Sequence, residues 1–272
     1  MRLSVNHASV YSFSYPVRYV VQSHRLHPNR FDGQRIVKWR VSVEGARFGA
    51  PFRDGAGDTL RTVSLTGPVE RVEVRVKGIV ETTDMSGVLA GHRERINPLA
   101  YLRDTPATLA DAALTGLAKT ALRGAAGADA LDRAHRLSNA VADAIAYRPG
   151  STQAHTTAAE ALALGEGVCQ DHAHALIAVA RHRAIPARYV TGYLHAGGDG
   201  SPHEAGHAWA ELHVGGLGWV GFDPANRCCP DERYIRLGSG LDASDAAPIR
   251  GVTHGEGTEM LHVTVEVAAA QQ

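Results

Sequence analysis

Cysteine is scarce in this chain of 272 residues: there are three, Cys169, Cys228 and Cys229. An odd count with two of them adjacent builds no disulfide framework, which excludes a stapled secreted scaffold. A reducing cytoplasm is the expected location, and it would keep a reactive thiol reduced. Net charge is lacking too, since 28 Lys and Arg balance 28 Asp and Glu. Scattered charges of both signs leave no electrostatic footprint for nucleic acid or an anionic membrane, so neither is expected as a partner. No apolar run reaches transmembrane length, and Met1-Arg2-Leu3-Ser4-Val5-Asn6-His7 lacks the apolar stretch of a signal peptide. Metal-binding spacings of the Cys-x-x-Cys or His-Glu-x-x-His kind are absent despite 15 histidines. His172-Ala173-His174 with Cys228-Cys229 therefore supports no metal site, and no cofactor is expected. His172 and His174 read as residues of a helix surface or a cleft.

What is present is ordinary globular composition, 44% hydrophobic and 21% charged, enough for a substantial core. The first third reads as β structure. Val37, Trp39, Val41 and Val43 alternate with polar residues, as do Val72, Val74 and Val76, the period of half-buried strands. A β-rich N-terminal domain over residues 1–82 is expected, followed by a second domain over 83–272 that opens with helices. Thr105-Pro106 predicts a helix start, with Gly124 as its stop. Leu131, Ala134, Leu137, Ala140, Val141 and Ala144 give a second helix its apolar stripe. Thr157 and Glu160 form a capping box for a third helix that ends at Gly165. Strands return from Ala187, and Leu261, Val263, Val265 and Val267 alternate in a closing strand.

Three short segments carry chemistry. Gly167-Val168-Cys169-Gln170-Asp171-His172 places a thiol at the first turn of a helix expected over Asp171 to Arg183. Cys169 extends the stripe of Ala173, Leu176, Ile177 and Ala180, so its thiol is expected to face inward. A helix N-terminus favours thiolate, and its free N–H groups can act as an oxyanion hole. Taken by itself, a free cysteine is more often a small buried apolar residue. The other segments are His207-Ala208-Trp209-Ala210-Glu211 and Gly218-Trp219-Val220-Gly221-Phe222-Asp223-Pro224. Residues 207–214 and 217–222 are β-like runs joined through Gly215-Gly216, a hairpin signal. A three-residue loop sets His207 directly opposite Asp223, whereas a two-residue loop turns Asp223 to the other face. Alone, His207 could be a strand histidine and Asp223 a turn residue before Pro224. Together, in this order, they supply nucleophile, base and orienting carboxylate.

These segments, with Ile185-Pro186-Ala187-Arg188-Tyr189-Val190-Thr191-Gly192-Tyr193, resemble the bacterial transglutaminase-like proteins of the papain-like superfamily. The resemblance reaches Tyr147-Arg148-Pro149-Gly150-Ser151-Thr152 and, near the start, His7, Tyr11, Tyr15-Pro16-Val17 and Arg25-Leu26-His27-Pro28. It implies an α+β fold: a β-sandwich-like N-terminal domain, then a papain-like core with helices packed on an antiparallel sheet. It implies Cys169 as nucleophile, His207 as general base and acid, and Asp223 as the carboxylate that orients it. Gln170 follows the cysteine where animal transglutaminases carry tryptophan, and Arg236-Leu237-Gly238-Ser239-Gly240-Leu241-Asp242 stands where bacterial relatives carry a Gly-Arg-Asp-Tyr-like stretch.

Tyr147, Gln170 and Trp209 are the further candidates for oxyanion or cleft-lining groups, while Trp219 reads as core. Glu204 and Glu211 read as exposed loop or strand glutamates. The expected function is attack by Cys169 on a peptide or amide carbonyl, giving a thioester. Water as acceptor makes the protein a peptidase or amidase, and an amine makes it a transglutaminase. A catalytically idle interaction module is the third possibility. The expected partner is a peptide or protein substrate.

Overall fold

The computed structural model describes residues 1–125, 127–195 and 206–270. Alternation in the first third does form strands. Strands β1 (Arg2–His24), β2 (Gln34–Val43) and β5 (Thr59–Thr82) pair antiparallel, with the short β3 (Arg47–Phe48) and β4 (Phe52–Arg53) also paired to β5. Val72, Val74 and Val76 all point into a core shared with Tyr11, Phe13 and Val20. Val37 breaks the expected pattern. A register shift between Ile36 and Lys38 throws it out of alternation, and it is 40% exposed.

The sheet is closed by the far end of the chain. Strands β12 (Ile249–His254) and β13 (Glu259–Ala269) both pair with β1, making seven strands. Strands β12 and β13, expected with the second domain, thus pair into the first sheet. Val265 and Val267 pack where Leu3, Val5 and Val80 meet Tyr193, Ile235 and Leu237 of the second sheet. Burying that apolar seam is what recruits the closing strand.

The helical stretch holds α1 (Ala112–Ala121), α2 (Ala130–Ala144), α3 (Ala158–Leu164) and α4 (Cys169–His182). The first begins later than Thr105-Pro106 suggests. Thr105 and Thr108 close only a single 3-10 turn over Pro106–Thr108, and the Asp111 side chain accepts from Leu114 N–H at 2.8 Å to cap α1. Helix α3 is as expected, with Thr157 and Glu160 capping each other's backbone and Gly165 left-handed at φ +71°. Every residue of α4 from Asp171 to Arg181 is buried, not one stripe alone. The three other helices cover one side of it and strand β9 (Gly206–Val214) the other.

The second sheet runs β10 (Gly218–Phe222), β9, β8 (Ala187–Leu194), β11 (Tyr234–Gly240), all antiparallel. A parallel pair of two-residue strands, β6 (Ala146–Tyr147) and β7 (Glu166–Gly167), leads into α4.

Candidate active site

The turn before α4 fixes where the thiol sits. Asp171, fully buried, accepts from Val168 N–H at 2.8 Å and from the Thr152 hydroxyl at 2.5 Å. Gly167 makes room, because a Cβ there would lie 2.7 Å from the Asp171 Cβ. The two ring nitrogens of His172 meet the carbonyls of Val168 and Ile145, both at 2.9 Å. His172 is thus a buried tie under the turn and not a surface residue. His174 is buried as well: its Nε2 accepts from Ala243 N–H at 3.0 Å, and burial pushes its pKa down to about 4. Helices on one side of α4 and strand β9 on the other are the reason that neither reaches solvent.

Strands β9 and β10 are joined by a three-residue loop over 215–217, yet their register differs from the simple expectation. Gly218 pairs with Val214 and Phe222 with Ala210, so His207 is diagonal to Asp223 and not directly opposite. A shift of two residues keeps the face, and the pair still meets. His207 Nε2 and Asp223 Oδ2 lie 2.6 Å apart, both side chains buried. With Nε2 so engaged, Nδ1 is the nitrogen left for the thiol. Burial opposes charge on the ring, but hydrogen bonds first to Asp223 and then to Cys169, with their negative charges, raise its pKa to about 10. The sulfur, the imidazole and the carboxylate are therefore in one chain of contacts.

Asp223 has two further partners that the sequence did not single out. Tyr234 donates its hydroxyl to Oδ2 at 2.8 Å, and Asn226 Nδ2 donates to the same oxygen at 2.7 Å. Burial raises the Asp223 pKa, and the hydrogen bond and charge of His207, then Asn226 and Tyr234, more than reverse this and lower it. Asn226 also donates its backbone N–H to Oδ1 at 3.2 Å, a local turn that Asp-Pro-Ala-Asn could have announced. Tyr234 gave no such signal. Its own oxygen lies 3.3 Å from Cys228 Sγ, and since its proton goes to Asp223 the Cys228 thiol is the donor. Burial pushes the Cys228 thiol up, and the Cys229 thiol up to about 11.

A cavity of about 350 Å³ opens on Cys169 and His207, floored by Tyr189, Thr191 and Ala208. Gln170 lines it and donates its side-chain amide to Ala154 O at 3.0 Å. Trp209 does not. It stacks beside His207, centroids 6.4 Å apart at 26°, and meets Tyr234 edge-on. Two glycines seat its indole: a Cβ at Gly192 would come 2.6 Å from Trp209 Cη2, and one at Gly221 would come 3.4 Å from Nε1. Tyr147 is also off the cavity, 48% exposed, with its ring 6.3 Å from that of His172. Trp219 is core, under the Arg188 guanidinium at 4.0 Å.

Glu211 is no exposed glutamate. It is buried between Arg188 (Nε to Oε2, 2.6 Å) and Arg236 (Nε to Oε1, 2.7 Å). Burial would raise its pKa, but the charges of Arg236 and Arg188 hold it down near 2. Glu204 lies outside the described residues. Among the described residues no three His, Cys, Asp or Glu side chains converge to hold a metal ion.

The sequence model of the transglutaminase-like superfamily matches residues 118–224, a span that includes Cys169, His207 and Asp223. That of the bacterial transglutaminase-like N-terminal region matches residues 3–81. An uncharacterized protein of Mycobacterium leprae is 31% identical, over 98% of this chain and 98% of its own. One from Mycobacterium tuberculosis is 30% identical, over 98% and 92%. In fold, the chain is similar to a Cytophaga hutchinsonii protein provisionally described as a cysteine protease. That match has a TM-score of 0.75 and 22% identity, and it covers all of this chain and 91% of the other. The α+β architecture, with a strand-rich start and a helix packed on an antiparallel sheet, and the matches over nearly its whole length place this chain in the transglutaminase-like superfamily.

Proposed function

We propose that the protein is a thiol-dependent hydrolase that cleaves a peptide or amide bond through a thioester on Cys169. The observation that carries this reading is the His207 ring, held at 2.6 Å by Asp223 on one nitrogen and hydrogen-bonded to Cys169 on the other side. Cys169 Sγ attacks the carbonyl carbon as the C–O π electrons move to oxygen. The first two N–H groups of α4, which have no carbonyl a turn back in the helix, are the donors for that oxyanion. His207 gives its proton to the leaving amine as the C–N bond breaks. It then takes a proton from water, which attacks the thioester and releases the carboxylic acid and the thiolate. Asp223 holds the imidazole orientation and its charged form throughout.

An amine in place of water would give amide exchange, the transglutaminase alternative. Water is preferred because, among the described residues, the cavity wall at Leu261 and Val263 is exposed to solvent, which gives water a path to the thioester. Incubating peptide libraries with the enzyme, with and without a primary amine, tests this by mass spectrometry. Free carboxylic acids as the main product in both arms support hydrolysis. Dominant amine incorporation at modest amine concentration would replace it with transfer. No product in either arm, with Cys169 inert, would leave the idle module.

A further inference from the structure

Strand β13 lies along the outside of β1, and among the described residues it pairs with no other strand. Two bonds fix its orientation. Ser14 N–H donates to Thr258 O at 3.0 Å, and Ala270 N–H donates to Arg2 O at 2.8 Å. In an antiparallel ladder, residues that exchange bonds with the partner alternate with residues whose N–H and C=O point away. Even-numbered positions between these two thus face β1, and Leu261, Val263, Val265 and Val267 turn their backbone groups outward. The Val267 carbonyl agrees, since it accepts from His195 Nδ1 at 3.1 Å.

Leu261, Val263 and Val265 also line the cavity that holds Cys169 and His207. Their partners across the ladder, Tyr11, Ser9 and His7, line it too. Leu261 and Val263 are 52% and 49% exposed, an apolar pair on an edge that no other described strand pairs. Val265 brings that edge to the start of β9, because a Cβ on Gly206 would lie 3.9 Å from its Cγ2. Among the described residues lining the cavity there is no Asp, Glu, Lys or Arg. The wall instead offers apolar surface at every second residue, with backbone donors and acceptors at the same spacing. An extended chain has that period and those groups.

Resting on the Cys169 reading above, we propose that the acyl donor is an extended, apolar peptide segment. It adds as a further strand to the outer edge of β13 at residues 261–265 and so delivers its carbonyl to Cys169. The first sheet is then a substrate-binding surface, and the closing strand of the chain selects what is cleaved.

The test compares two p-nitrophenyl esters on the full chain, the acetate and an acetyl-Val-Thr-Val-Gly ester. Each acylates Cys169 with release of p-nitrophenolate as the Sγ–C bond forms. The peptide ester should react faster by on the order of tenfold, the worth of one or two backbone hydrogen bonds. N-methylating the peptide at its central amides, or replacing Val263 by proline (V263P), should bring the ratio of the two rates toward one. Proline removes an outward N–H that β1 does not use, and an edge strand accepts it. The methylated peptide on the unaltered protein covers the case in which V263P folds poorly. A ratio unmoved by both changes would overturn the docking while leaving the nucleophile in place. Acetate that fails to label Cys169 would overturn the nucleophile, and the docking with it.

Discussion

His207 is the residue on which the site turns. Its ring stands between a carboxylate and a thiol, and both favour the protonated form strongly enough to carry its pKa to about 10 from an ordinary 6.5. The folded chain holds that proton more tightly than the unfolded one. The stability so gained is complete below about pH 6.5 and is lost as pH climbs through about 10. The urea midpoint should therefore fall across that interval in the native protein and fall less in Asp223→Asn. A midpoint with the same alkaline slope in both would contradict it. Asp223→Asn should also cut turnover by roughly three to four orders of magnitude, because an amide neither stabilises the imidazolium nor fixes its tautomer as well. Circular dichroism should show the fold retained. Tyr234→Phe removes one of the donors to Asp223 Oδ2 and should cost a smaller factor, about tenfold, the value of one hydrogen bond to a charged group.

Among the elements, β9 shows how one strand serves two purposes. His207, Trp209 and Glu211 alternate with Ala208, Ala210 and Leu212, and the latter three pack in the core around α4. Trp209 backs the His207 ring only because β8 and β10 offer glycines beneath the indole. Gly192→Ala would drive a methyl to 2.2 Å from Ile235 O and 2.6 Å from Trp209, so something must shift. We expect a loss of about 1–3 kcal/mol in urea unfolding together with slower turnover, since the displaced indole takes the His207 ring with it. Unchanged activity in a destabilised Gly192→Ala would mean that Trp209 only fills space. Much of this strand was legible beforehand. Period-two alternation and the Gly-Gly loop left two faces open to Asp223, and the three-residue loop puts it on the side of His207, with the register two residues from the direct pairing. Glu211 was not legible, because its partners Arg188 and Arg236 come from two other strands and no local pattern announces an ion pair assembled across a sheet. Tyr234 failed for the same reason. At α1 the misreading was local: Pro106 signals a helical start, but one 3-10 turn satisfies it, and Asp111 supplies the true cap.

For the whole molecule, the first sheet and the second are one construction. The chain's last strands return to β1, and a buried polar network joins Glu211, Arg188 and Arg236 to Asp58, Asn29 and Glu94 from the first part of the chain. Glu211→Gln should leave two buried guanidiniums short of charge, at a cost of about 3–5 kcal/mol. Loss of well under 1 kcal/mol would show the network to be dispensable. Acid should weaken the same assembly. His7, which bonds Tyr193 OH at 2.8 Å between the sheets, is pushed by burial down to about 4, as are His24 and His174. Neutral in the fold and protonated when unfolded, these rings contribute stability that is present above about pH 6.5 and lost as pH falls through about 4.

The central claim is that Cys169 is an activated nucleophile because His207 and Asp223 stand behind it. It is tested most directly by mapping iodoacetamide alkylation of the native protein, cysteine by cysteine, near neutral pH. Cys169 should be labelled well ahead of Cys228 and Cys229, whose thiols burial keeps protonated, and it should lose that lead in His207→Gln. Equal labelling of all three cysteines, or a Cys169 rate indifferent to His207, would contradict the account.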